Sequence, residues 1–193
     1  MKNIILVFLL TFMLPVPKWN KLLFVGDSLT CYSGGWQHVV SKQLGLEYDN
    51  ISKGGKRTDW MEKKLREHLS NNSDYGTVVI YGGINDSFAY SQPNLTIRNI
   101  QRMVDLCNEK KIKPVVIVGY DPSKVIFKTV YSDKVTEFHR KRYINLQNRI
   151  RNEIKNCKII PIETTIDRTD SGDGIHLKSS GHKKFYKWVL KNW

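Results

Sequence analysis

Five short runs of apolar and β-branched residues recur along this chain, each followed by a loop or a stretch with helical hydrophobic spacing, and no hairpin turn joins any two of them. The runs are KLLFVG (21–26), YDNIS (48–52), TVVIYGG (77–83), KPVVIVGY (113–120) and KIIPIE (158–163). Between them, GWQHVVSKQLG (35–45) carries Trp36, Val39, Val40 and Leu44 at helical spacing. TDWMEKKLREHLS places Trp60, Met61, Leu65 and Leu69 on one face, behind the cap candidates Thr58 and Asp59. Further helices are expected over residues 96–111, 132–156 and 179–191. Strands without hairpins need crossovers, which are right-handed and leave the strands parallel. The pattern therefore predicts an α/β fold, a five-stranded parallel sheet between two layers of helices. No repeat, low-complexity tract or linker divides residues 21–193, and that length buries a core without disulfides or metals.

Residues 1–20, MKNIILVFLLTFMLPVPKWN, stand apart. One early lysine, an apolar run from Ile4 to Leu14 and then prolines have the layout of a secretory signal, so export or a periplasmic location is expected. The run is too short to span a bilayer comfortably, and no small-x-small cleavage site follows it. A retained, membrane-contacting anchor, or a start at Met13 that would leave the protein cytoplasmic, are the other readings.

Lys and Arg number 31 against 18 Asp and Glu, a net charge of +13 that attracts anionic partners. The basic residues are dispersed, however, as KGGKR (53–57), KKLR (63–66), KKIK (110–113), RKR (140–142) and KKFYK (183–187), several of them on polar helix faces. Charge alone implies no obligate nucleic-acid partner. Cys31, Cys107 and Cys157 lack the spacing of a zinc site or a disulfide framework, and buried free thiols are expected. No metal or other cofactor is expected.

In a parallel α/β sheet, ligands sit beyond the carboxyl ends of the strands. The loops at that edge hold GDSLT after the first strand, GGKRT after the second, GGINDS after the third and SGDGIHL after the fifth. A serine hydroxyl becomes a useful nucleophile when a neutral imidazole takes its proton, and the imidazole is held by a carboxylate on its other nitrogen. Ser28, His176 and Asp173 are the candidates, with Asp173 three residues before His176 within one turn. Attack on an ester carbonyl creates an oxyanion that preplaced donors must meet, each worth about 2.7–4 kcal/mol of barrier. The Ser28 N–H, the Gly55 N–H and the Asn85 side-chain amide are the candidate donors. Taken singly, each has a bland alternative: Asn85-Asp86 as a helix cap, Gly54-Gly55 as a turn, and Asp167, Asp170 and Asp173 as a cation loop. That last segment lacks the acidic ladder and closing Glu of an EF-hand.

Together, GDSLT, GGKRT, GIND and DGIH resemble the SGNH hydrolases, also called the GDSL esterase/lipase family, over residues 21–193. The resemblance implies a flavodoxin-like α/β/α fold and metal-independent ester hydrolysis through an acyl-enzyme. Ser28 matches the family's nucleophile, Gly55 and Asn85 its second- and third-block oxyanion donors, and Asp173 and His176 its Asp-x-x-His pair. Gly55 is preferred to Gly54 for its Gly-x-x-Thr spacing to Thr58. The α/β-hydrolases share the order Ser, Asp, His, but their elbow requires Gly-x-Ser-x-Gly, and Thr30 stands where the second glycine should be. Tyr32, Tyr90, Gln92 and Tyr120 near these loops favour a short acyl group, acetyl above all, on a carbohydrate or other small ester. A lysophospholipase or thioesterase of the same family, or a vestigial basic module holding acidic polymer, are the alternatives.

Overall fold

The computed structural model describes residues 21–72, 74–89, 91–120, 133–167, 169–171, 173 and 175–193. The signal-like segment 1–20 and Tyr90 lie outside them. Five strands, β1 (Lys21–Gly26), β2 (Glu47–Asn50), β3 (Thr77–Tyr81), β4 (Lys113–Val118) and β5 (Lys158–Pro161), form one sheet in the order β2-β1-β3-β4-β5. Every pairing is parallel, with Leu22 opposite Thr77 and Val115 opposite Lys158. The helices are α1 (Trp36–Leu44), α2 (Thr58–Asn71), α3 (Ile84–Phe88), α4 (Pro93–Glu109), α5 (Asp133–Glu153) and α6 (Ser179–Lys191). This is the three-layer sandwich expected, and its strand order is the flavodoxin-like one.

Alternation along the strands decides which helices cover which face. Leu22 and Phe24 of β1 point into a core with Trp36 and Val40 of α1 and Phe185 and Val189 of α6. Leu23 and Val25, one residue out of phase, point the opposite way, onto Met61 and Leu65 of α2, Met103 of α4 and Ile150 of α5. Because both faces are covered there, β1, β3 and β4 read as continuous apolar runs, while the edge strand β2, Glu-Tyr-Asp-Asn, does not.

Element ends shift by a few residues from expectation, and some differences have a clear cause. Helix α4 starts three residues early, because Pro93 at its first turn has no N–H to leave unpaired and a φ suited to the helix. The short α3 lies in what reads as a loop, since five residues are too few to show a helical period. All three cysteines are free, but only Cys107 is buried; Cys31 and Cys157 are half-buried.

Candidate active site

The hydroxyl of Ser28 owes its position to a tightly clamped turn. Any side chain at position 26 would run into Tyr81 O and Thr30 Oγ1, so only glycine lets the chain pass so close to β3 there. After it, the N–H groups of Thr30 and Cys31 both donate to Asp27 O at 3.1 Å, and Leu29 N–H donates to Asp27 Oδ1 at 3.0 Å. Trp36 Nε1–H holds Leu29 O at 2.8 Å, and Asn50 Nδ2 holds Thr30 O at 2.7 Å. Trp36 is thus core and clamp together.

The segment after β5 brings a base to this hydroxyl. Asp173 Oδ1 accepts the backbone N–H groups of Ile175 (2.9 Å) and His176 (2.7 Å), which closes the turn locally. Its Oδ2 lies 2.6 Å from His176 Nδ1, and His176 Nε2 lies 3.0 Å from Ser28 Oγ across 148 residues of sequence. Burial pulls the Asp173 carboxyl up, but hydrogen bonds from the His176 ring and from the His176 and Ile175 N–H groups outweigh it and hold Asp173 below its ordinary value. An ionised carboxylate there favours the tautomer with Nδ1 protonated and Nε2 free to accept from Ser28.

Supports for this segment come from two directions. Tyr120 OH donates to Ile175 O at 2.6 Å, and Ser171 Oγ donates to His176 O at 2.9 Å. Lys184 of α6 reaches Asp170 Oδ2 at 2.5 Å and Asp167 Oδ2 at 3.2 Å. The three aspartates of the cation-loop alternative are therefore divided between Lys184 and His176. Among the described residues, no cluster of three or more His, Cys, Asp or Glu could hold a metal ion.

The loop that carries Gly55 passes beside Ser28, and Asn85 is bonded to that loop. A Cβ on Gly54 would lie 3.8 Å from that of Ser28, and Gly55 follows in the left-handed region (φ +72°). Asn85, at the start of α3, donates from Nδ2 to Lys56 O at 3.0 Å, which leaves the second N–H of its amide available to a ligand. The loop and α3 are held together by Asp86. Its Oδ1 accepts the hydroxyls of Thr58 (2.6 Å) and Thr96 (3.1 Å), and its Oδ2 accepts Thr58 N–H (3.0 Å). In the sequence Asp86 reads only as a cap candidate; its proximity to Thr58 is a long-range fact that no local pattern encodes.

Asp27 likewise gives no sign of its role in the sequence. It is 0% exposed, directly before Ser28, and its Oδ2 has no partner among the described residues. Burial, with a smaller push from Asp86, drives its carboxyl up to about 7, while the Leu29 N–H and His176 pull the other way. Of the residues read as substrate contacts, Tyr32 is 53% exposed, with its ring edge-on to His176 at 6.3 Å, and Gln92 is exposed. Tyr120 is buried beneath the His176 segment and acts as a support instead. Cys31, whose thiol faces Ser28 O at 3.8 Å, has no base against it among the described residues.

Comparison with known proteins bears on the fold and the family. A search of characterised protein sequences finds no match. Among solved structures, the chain is similar to a GDSL-like lipase from Bacteroides thetaiotaomicron (TM-score 0.71, 20% identity, 92% of this chain and 89% of that one). An acetylxylan esterase from Geobacillus stearothermophilus, solved as a catalytic mutant, superimposes with a TM-score of 0.68 at 14% identity, over 90% of this chain and 93% of that one. A psychrotrophic esterase from Pseudoalteromonas gives 0.61 at 14% identity, over 90% and 96%. At these identities the likeness concerns the fold. Residues 24–184 match the profile of the GDSL-like Lipase/Acylhydrolase family, and the chain, an ester hydrolase of the SGNH type, belongs to that family.

Proposed function

We propose that this hydrolase removes short acyl groups, acetyl first, from carbohydrate esters through a Ser28 acyl-enzyme. The observation that carries the mechanism is the continuous chain of contacts from Asp173 through His176 to Ser28 Oγ, at 2.6 and 3.0 Å. Ser28 Oγ attacks the ester carbonyl carbon while His176 Nε2 takes its proton; Asp173 stabilises the imidazolium and is not itself protonated. The oxyanion is met by the N–H groups of Ser28 and Gly55 and the free N–H of Asn85. On collapse the C–O bond to the alcohol breaks and His176 returns the proton to the departing oxygen. Water, deprotonated by the same imidazole, then attacks the acyl-Ser28 ester, releasing the acid and regenerating the hydroxyl.

The substrate class is supported by the exposed Tyr32 beside His176, and by the likeness of fold to an acetylxylan esterase. A series of p-nitrophenyl esters of increasing chain length, followed by acetate release from acetylated polysaccharides, tests it. Acetate and propionate esters should turn over fastest, and acetylated xylan should release acetate. A preference for long acyl chains overturns the carbohydrate reading in favour of a lipid or thioester substrate.

A further inference from the structure

A groove of about 580 Å³ is lined by the candidate oxyanion donors Gly55 and Asn85 together with Trp60 and Phe88. A ligand seated in it touches the two residues expected to meet the oxyanion. Three charged residues line it: Lys56, Arg57 and Asp59. Two of them are already matched. Arg57 Nη2 lies 3.0 Å from Asp59 Oδ2, and Asp59 Oδ1 accepts Trp60 N–H at 2.8 Å, so both oxygens of the one carboxylate lining the groove among the described residues are engaged. Lys56 is different. Its ammonium stands over the Trp60 ring, 5.8 Å from the centroid, and has no carboxylate partner among the described residues.

The position of Lys56 is fixed from both ends. Its carbonyl accepts Asn85 Nδ2 and its ammonium is drawn to the indole face, so the charge is held at the groove rather than spread over the long excursions of a solvated lysine. An unmatched cation in the groove that the candidate oxyanion donors line selects for a substrate that brings an anion. The overall charge of +13 adds attraction for a polyanionic chain at a distance.

From these observations we infer that the groove is a subsite for the carboxylate of an acidic sugar, so that the preferred substrate is an acetylated saccharide containing uronic acid residues, with Lys56 the residue that reads the charge. This rests on the carbohydrate-esterase reading above and narrows it. Trp60 and Phe88 supply the apolar walls against which a pyranose ring packs, and the Lys56 ammonium meets its carboxylate.

The test separates the two readings by using unacetylated sugars as competitors. The wild-type protein, K56R and K56M are assayed for p-nitrophenyl acetate hydrolysis in the presence of galacturonate trimer or of neutral xylotriose, at low and high salt. Melting curves confirm that each variant is folded. The uronate trimer should inhibit competitively, with a Ki about tenfold below that of xylotriose. K56R should keep the ratio, K56M should bring it near one, and high salt should narrow it in the wild type. Equal inhibition by the two trimers, no inhibition by the uronate trimer, or a charge preference that persists in K56M overturns the inference. Failure of the carbohydrate reading has its own signature, the absence of acetate release from every acetylated saccharide, and does not depend on these inhibition constants.

Discussion

Replacing Asp27 by asparagine should flatten the stability profile of this protein between pH 4 and 8. The carboxyl is fully buried, its Oδ2 unmatched among the described residues, and its ionisation is displaced from 3.8 to about 7 in the folded state. In the unfolded chain the proton leaves near 3.8, so between that value and 7 the folded protein holds a proton that the unfolded chain has released. Stability contributed by this group is complete below about pH 4, falls by up to about 1.4 kcal/mol per pH unit as pH rises, and levels off above about 7. The two ionisation points give a native-state penalty of about 2 kcal/mol at pH 5 and about 4 kcal/mol at pH 8, a change of about 2–3 kcal/mol. An asparagine side chain in the same place would retain an oxygen for Leu29 N–H and carry no charge. Urea denaturation of wild type and D27N at pH 5 and pH 8 isolates this contribution, since the other carboxylates cancel in the difference. D27N should gain about 2–3 kcal/mol relative to wild type between the two pH values. A difference constant to within about 0.5 kcal/mol would mean that Asp27 is ionised throughout, and the account of its burial would fail.

Removing the amide in N85A should lower kcat for p-nitrophenyl acetate about 10²–10³-fold with little change in KM, because the lost contact forms mainly with the oxyanion; an unaltered kcat argues against that role. D173N should keep the local turn but present the wrong imidazole tautomer to Ser28, and kcat should fall about 10⁴-fold. A loss of only a few-fold would show that His176 is oriented by its backbone supports instead. D86A strips the partners from Thr58 N–H and from two buried hydroxyls, so chemical denaturation should record a loss of about 2–4 kcal/mol. No change in the denaturation midpoint would refute Asp86 as the link between α2, α3 and α4.

The sheet is legible in the chain because parallel strands covered on both faces announce themselves as uninterrupted apolar runs, as VVI of β3 and VVIV of β4 do. The placement of Ser28, Asn85, Asp173 and His176 follows from the rule that loops at the carboxyl edge converge, together with the block motifs. Residues that act through distant partners are not readable in this way. Asp86 meets Thr58 across 28 positions, and Tyr120 meets Ile175 across 55, by contacts that exist only once the strands are in register. Tyr120 illustrates the limit well: its side chain suggests a substrate contact, yet the fold buries it under the histidine. The burial of Asp27 is hidden for a related reason, since an aspartate in a turn is usually solvated, and only packing against β3 removes it from water.

Catalysis through an acyl-enzyme requires that Ser28 Oγ become covalently attached to the group it attacks. The wild-type protein and S28A are treated with a fluorophosphonate, and intact mass and peptide mapping locate any adduct while p-nitrophenyl acetate turnover is followed in parallel. The wild type should gain one adduct, on the peptide bearing Ser28, and lose activity in step with labelling; folded S28A should neither label nor turn over. Undiminished hydrolysis by S28A, or inactivation with the adduct on another residue, would contradict it.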